Sequence, residues 1–116
     1  MAKPNHISNY PNPWFDYILT GKKTFEGRLN RGRWADMQVD DIVQWTYGNR
    51  IIDTIVTEIK LYKSFKHAFK DLGEKLLPSI ETDTNAGNLY SSFYSDEDVN
   101  KYGVVAIGIR VLTPKN

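Results

Sequence analysis

The sequence predicts a single α+β domain whose sheet curls to hide its edges. Three observations carry this. At least four segments alternate apolar and polar residues or run rich in Ile, Val and Thr. Gly48-Asn49 joins two of them as a two-residue hairpin turn. A helix-spaced apolar stripe stands between the hairpin and the last strand. With 116 residues, one core fills the chain.

Residues 1–12, polar and holding Pro4 and Pro11, read as a flexible lead-in to a domain over 13–113. Asn12-Pro13 reads as a helix start, Asn as N-cap and Pro at the first helical position. Phe15, Ile18 and Leu19 form the apolar face of this short helix, and Gly21 ends it. Thr24 to Leu29 follows as a strand with Thr24, Glu26 and Arg28 on one face and Phe25, Gly27 and Leu29 on the other. Residues 30–41 read as loop, and Asp40-Asp41 as the turn into the hairpin strands Ile42–Tyr47 and Arg50–Leu61.

Ser64 caps an amphipathic helix with Phe65, Ala68, Phe69 and Leu72 at i, i+3, i+4 and i+7, and Gly73 ends it. The two Phe belong to the core on this spacing. Across 74–94, Pro78 breaks, Gly87 permits a turn, and Leu89 to Tyr94 reads as a short helix. Ser95 with Asp98 forms a capping-box-like pair opening one helical turn that closes at Tyr102-Gly103. Val104–Leu112 is the last strand, with Val105, Ile107, Ile109 and Val111 on one face. Ala106 and Gly108 on the other announce close approach by a neighbour.

The chain has no cysteine, which excludes disulfide scaffolds, thiol nucleophiles, Cys-bound zinc and iron–sulfur clusters. Two His, His6 and His67, are too few for a His-built metal centre, so neither metal nor cofactor is expected. No apolar run reaches the length of a membrane span. The opening stretch has no signal-peptide core, so the expected location is the cytoplasm. Net charge is +1, against a histone-like polyanion binder, but the charges are segregated. Lys22, Lys23, Arg28, Arg31 and Arg33 crowd one stretch, and Lys60, Lys63, Lys66, Lys70 and Lys75 another. Glu81, Asp83, Asp96, Glu97 and Asp98 make an acidic one. A polyanion suits one side of such a molecule; ordinary solvated faces suit it as well.

The densest chemistry is Gly21-Lys22-Lys23-Thr24-Phe25-Glu26-Gly27-Arg28. If Glu26 and Arg28 lie on a covered strand face, they must pair or meet a ligand. With Lys23 at the helix–strand junction they offer one acceptor and two cations, enough to orient a base edge and hold a phosphate or carbonyl oxygen. A crowded or buried Lys23 also loses its proton more readily and can serve as a base. A solvent-facing Glu–Arg pair worth under about 1 kcal/mol fits the same pattern. The loop Asn30-Arg31-Gly32-Arg33-Trp34 interleaves Arg with an aromatic ring, as in surfaces that stack bases and touch phosphates; Trp34 fits a core anchor equally.

That eight-residue run resembles the G-x-K-x-x-E-x-R signature of the ASCH domain family of the PUA-like superfamily. Asp40-Asp41-Ile42-Val43, Tyr62 to Leu72, and Tyr94-Ser95 through Lys101 to Ile107 resemble further stretches of the family in the same order. The resemblance spans roughly 13–112. It implies a small PUA-like β-barrel of about five to six strands with helices across its ends. It also implies binding of RNA or a modified nucleoside or nucleotide in a cleft lined by Lys23, Glu26 and Arg28. By position, Gly21, Arg31, Arg33, Trp34 and Tyr94 join the expected ligand-binding set. Lys66 and Lys70 are further candidates for phosphate contact.

Some similar proteins are amidohydrolases of acetylcytidine, and one is described as a ribonuclease. If the chain is an enzyme, Lys23 and Glu26 would be catalytic. Those amidohydrolases carry a Thr three positions after the Lys, where this chain has Glu26, and use a downstream acid, for which Asp71, Glu74 and Glu81 are the candidates. The family's turn is often Gly-Asp; here it is Asp40-Asp41. A third reading takes Tyr90, Phe93 and Tyr94 as an exposed aromatic patch for a protein partner rather than as lid or core.

Overall fold

The structure, a computed structural model, describes residues 5–112. In chain order it comprises β1 (His6–Asn9), α1 (Trp14–Leu19), β2 (Phe25–Leu29), β3 (Ile42–Tyr47), β4 (Arg50–Tyr62), α2 (Phe65–Leu72), α3 (Asp83–Ser91), α4 (Asp96–Tyr102) and β5 (Val104–Val111). The strands form one mixed sheet in the order β1-β3-β4-β5-β2. β1 runs parallel to β3 and the other pairings are antiparallel.

β4 makes the sheet curl. Its first half pairs with β3, from Tyr47 opposite Arg50 to Ile42 opposite Ile55. Its second half pairs with β5, ending with Tyr62 opposite Val104. A register shift between Val56 and Glu58 bends the strand where it changes partners. Gly108 lies opposite the shift: a Cβ there would fall 2.8 Å from Thr57 Oγ1 and 2.9 Å from Glu58 Cγ, so a side chain would push the strands apart. The small residue expected to permit close approach does so here. The two end strands, β1 and β2, do not meet, and the result is a half-barrel rather than a closed barrel.

β5 is buried on both faces, so the sheet separates two cores. Val105, Ile107 and Ile109 pack with Phe15 and Ile18 of α1 and with Val43, Trp45 and Val56. Val104 and Ala106 pack with Phe65, Phe69, Leu72, Leu76 and Tyr90 under the helices. Trp45, fully buried, donates to Thr54 Oγ1 at 2.9 Å, and Thr54 donates to the Val43 carbonyl at 2.9 Å, so the indole N–H and the Thr54 hydroxyl are both paired.

The caps of α2 form as its sequence requires. The Ser64 hydroxyl accepts from His67 N at 3.2 Å, and Gly73 ends the helix at φ +57°. Phe65, Ala68, Phe69 and Leu72 are its buried face. α4 opens with Ser95 accepting from Asp98 N at 3.1 Å and runs over seven residues, more than the single turn expected.

Three expectations need correction. Residues 6–9 are not a loose lead-in but strand β1, hydrogen-bonded along β3 from His6 opposite Val43 to Asn9 opposite Thr46. The backbone supplies that pairing, so polar side chains do not prevent it; residues 1–4 lie outside the described ones. The helix expected over Leu89–Tyr94 instead spans Asp83–Ser91, because Thr82 caps it by accepting from Asn85 N at 3.1 Å. Gly87 is not a turn. A Cβ there would fall 2.6 Å from Lys66 Cε, so glycine is where the Lys66 side chain lies across α3.

Candidate functional site

Strand β2 lies at the edge of the sheet, paired only with β5. Its open side faces a cavity of about 290 Å³ roofed by the 89–94 segment and walled by the chain around Tyr10 and Trp14. That volume lies at the low end of the roughly 300–1,000 Å³ of small-molecule sites.

Lys23 reaches the cavity because the chain reverses sharply after α1. Gly21 adopts φ +80°, a conformation side chains resist, and Lys23 N then donates to the Tyr17 carbonyl at 3.0 Å. Thr24 N donates to the Lys75 carbonyl at 2.9 Å, tying the junction to the turn after α2. Lys23 is 2% exposed. Its ammonium donates to the Leu76 carbonyl, sits 3.6 Å from Glu26 Oε1, and lies 5.8 Å from the centre of the Trp14 ring. Burial lowers the Lys23 pKa below its ordinary value, with Glu26 opposing.

Glu26, 3% exposed, joins the set together. Its Oε1 accepts from Gly27 N at 3.1 Å and its Oε2 accepts from Arg28 Nη2 at 3.2 Å. Burial works against the Arg28 charge, but Glu26, with Tyr94 and Tyr10, more than offsets it, and the guanidinium holds its proton more firmly than usual. Arg28 also lies over Trp34, 4.5 Å from its ring centre, and Trp34 stacks on Trp45 at 6.2 Å and 15°. The core therefore fixes the guanidinium from behind. Carboxylate and guanidinium both keep unused hydrogen-bonding positions.

The remaining polar groups of the cavity include three phenols. Burial, then the Glu26 carboxylate, raises the Tyr10 and Tyr90 hydroxyls well above the ordinary value of 10.0, so both stay protonated. Burial raises Tyr94 too, against the pull of Arg28. Tyr90 stacks on Phe65 at 3.9 Å and 12°, and Tyr94 on the same Phe65 at 5.2 Å and 15°. Phe93, 67% exposed, stands at the mouth.

The structure thus gathers Lys23, Glu26, Arg28 and Tyr94 around one cavity, and places Trp34 behind Arg28. The other candidates lie elsewhere. Gly21 shapes the turn without lining the cavity. Arg31 stands 3.9 Å from Asp98 and over Tyr102, and Arg33 donates to the Ile7 carbonyl at 2.7 Å. Lys66 lies across α3 and does not line the cavity. No downstream acid joins: Asp71 accepts from the Tyr62 hydroxyl at 2.5 Å and sits 3.7 Å from Lys60, while Glu74 and Glu81 border a separate open groove. Glu26 is the one carboxylate among the described lining residues. Sequence reasoning missed Tyr10 and Trp14; the aromatic spacing of that segment was their only signal. The Tyr90, Phe93 and Tyr94 group divides into buried wall, exposed rim and half-buried wall, nearer to a lid than to a free patch.

Among the described residues, no three His, Asp or Glu side chains gather as a metal site, and no helix is long and apolar enough to cross a membrane.

Comparison with known proteins agrees with this architecture. The ASCH domain family matches residues 10–113. The crystal structure of hypothetical protein PH0355 is similar at 30% identity and a TM-score of 0.86, over 92% of this chain and 98% of that one. The solution NMR structure of protein PF0455 from Pyrococcus furiosus is similar at 29% identity and 0.78, over 91% and 96%. A mutant of ZmASCH from Zymomonas mobilis shares the fold at 13% identity and 0.64, over 95% of this chain and 73% of that one. No curated protein matches the sequence. By the extent of the family match, and with a PUA-like half-barrel around the signature residues, the chain belongs to the ASCH domain family.

Proposed function

We propose that this protein binds RNA or a modified nucleoside or nucleotide, with one base entering the cavity beside β2. The observation that supports this most is the buried chain Lys23–Glu26–Arg28, which ends on a half-buried guanidinium inside aromatic walls. A carboxylate accepts from an exocyclic amine, a guanidinium donates to a carbonyl or phosphate oxygen, and flat rings stack on a base. A cavity of about 290 Å³ suits one base and excludes a folded helix. The ligand is therefore a free nucleoside or nucleotide, or an unpaired residue of single-stranded RNA.

The test is equilibrium titration of the four ribonucleosides, N4-acetylcytidine and a short single-stranded RNA, with Arg28→Gln as control. Binding that weakens in Arg28→Gln, with RNA affinity that falls as salt is added, supports the proposal. Absence of binding to every one of these ligands overturns it.

A second reading is hydrolysis of an acylated nucleoside or of RNA, and the lowered Lys23 pKa favours it. Lys23 would polarise the amide carbonyl or activate water, Glu26 would move the proton, and Arg28 would steady developing negative charge. Incubation with N4-acetylcytidine decides it. Turnover lost in Lys23→Ala and Glu26→Ala supports catalysis; no turnover by the wild type, or equal turnover by the variants, removes it.

A further inference from the structure

The Tyr90 hydroxyl is buried and has no hydrogen-bond partner. Buried polar groups in folded proteins are almost always paired, so a stranded one calls for an explanation. Tyr90 is also one of the residues that line the cavity, with Glu26 and Arg28 among the others. The ring cannot carry the hydroxyl out to water: it is 7% exposed and stacked on Phe65, whose helix face is itself core. The strand makes room for it. Gly27, between Glu26 and Arg28, has no side chain, and a Cβ there would fall 3.0 Å from the Tyr90 hydroxyl oxygen and 3.3 Å from Leu76 Cδ1.

Resting on the nucleoside reading above, we infer that the Tyr90 hydroxyl is a neutral reading group of the cavity, donating to a carbonyl oxygen or ring nitrogen of the bound base. Glu26 is acceptor-only and Arg28 donor-only and charged. A neutral donor on the Gly27 side of the strand adds discrimination that neither charge supplies. A site built to pair a polar atom strands its own group when the ligand lacks that atom. The phenol stays protonated at neutral pH, since burial and the Glu26 carboxylate both oppose its ionisation. The free protein carries the unpaired hydroxyl as a cost that ligand binding relieves.

The test compares Tyr90→Phe with the wild type, using whichever of cytidine, uridine, adenosine, guanosine, N4-acetylcytidine and a short single-stranded RNA the wild type binds most tightly. Without ligand, Tyr90→Phe is expected to melt no lower than the wild type, since it deletes an unpaired group and keeps the stacked ring. Its affinity is expected to fall about five- to tenfold. That factor should be the same at about 50 and 200 mM salt, because no charge is removed. A merely structural role for Tyr90 would move the melting temperature and leave affinity alone. Unchanged affinity in Tyr90→Phe overturns this inference and leaves the nucleoside reading standing. A clearly lower melting temperature overturns it as well, because the hydroxyl then has a partner in the free protein. Failure of the wild type to bind any of these six overturns both.

Discussion

The Lys23 ammonium lies 3.6 Å from Glu26 Oε1, and both side chains are almost wholly withdrawn from water. Two residues three apart in a signature run have become a buried ion pair whose second carboxylate oxygen holds Arg28. The pair is both a structural commitment and the base of the proposed ligand site.

Removing one member of a buried pair leaves the other uncompensated. Glu26→Gln is expected to cost about 3 kcal/mol or more, read as a lower urea midpoint at unchanged slope. Lys23→Met should cost less, because Glu26 keeps Arg28 and the Gly27 N–H. Equal midpoints for wild type and Glu26→Gln would show that the pair is not buried as described.

Alkaline pH separates the buried groups by sign. Below the lowered folded pKa of Lys23, the amine is protonated in both folded and unfolded chains, and it adds no pH dependence. Between that point and its ordinary 10.5, the folded chain gives up the proton first, the unfolded chain binds more protons, and stability rises with pH. Above 10.0 the phenols act oppositely: unfolded Tyr10 and Tyr90 ionise while the folded ones keep their protons, and stability falls. Lys23→Met should lose the rise and Tyr90→Phe should flatten the fall, both measured by urea unfolding across pH 8 to about 11.

The arginines divide by location. Arg28→Gln should weaken ligand binding about tenfold or more and reduce the salt slope of RNA binding. Arg33→Ala should leave nucleoside affinity within about twofold, since its side chain is spent on the Ile7 carbonyl away from the cavity; that twofold is under 0.5 kcal/mol. Titration of the three proteins side by side checks this, and a large loss in Arg33→Ala would place the ligand on the loop instead.

Asp40 stands in an exposed turn at φ +75°, where L side chains are disfavoured. Asp40→Gly should stabilise the protein by up to about 1 kcal/mol, read as a higher melting temperature. The neighbouring Asp41 must stay, because its carboxylate accepts from Gln38 N at 3.0 Å and contacts His6 at 3.2 Å, joining turn and first strand.

Much of this molecule is legible in its residues, for physical reasons. The Gly48-Asn49 hairpin, the Ser64 and Gly73 caps and the small Gly108 each answer to a local steric or hydrogen-bonding demand. The convergence of Lys23, Glu26 and Arg28 was legible because all three lie within six residues. Strand β1 was not, since its pairing is made by backbone along polar residues. Nor were Tyr10 and Trp14, which the turn after α1 folds back over β2 and its cavity. Arg31 and Arg33 read as ligand contacts because an Arg-rich loop looks the same whether it meets a phosphate or its own chain. Only the fold shows Asp98 and the Ile7 carbonyl beside them.

The most direct measurement is an amide NMR titration with the tightest-binding ribonucleoside. Binding in the cavity beside β2 produces chemical-shift changes centred on Gly27, Arg28, Tyr90 and Tyr94. Changes confined to Arg31, Arg33 and Lys66, with those four amides unmoved at saturation, would contradict it.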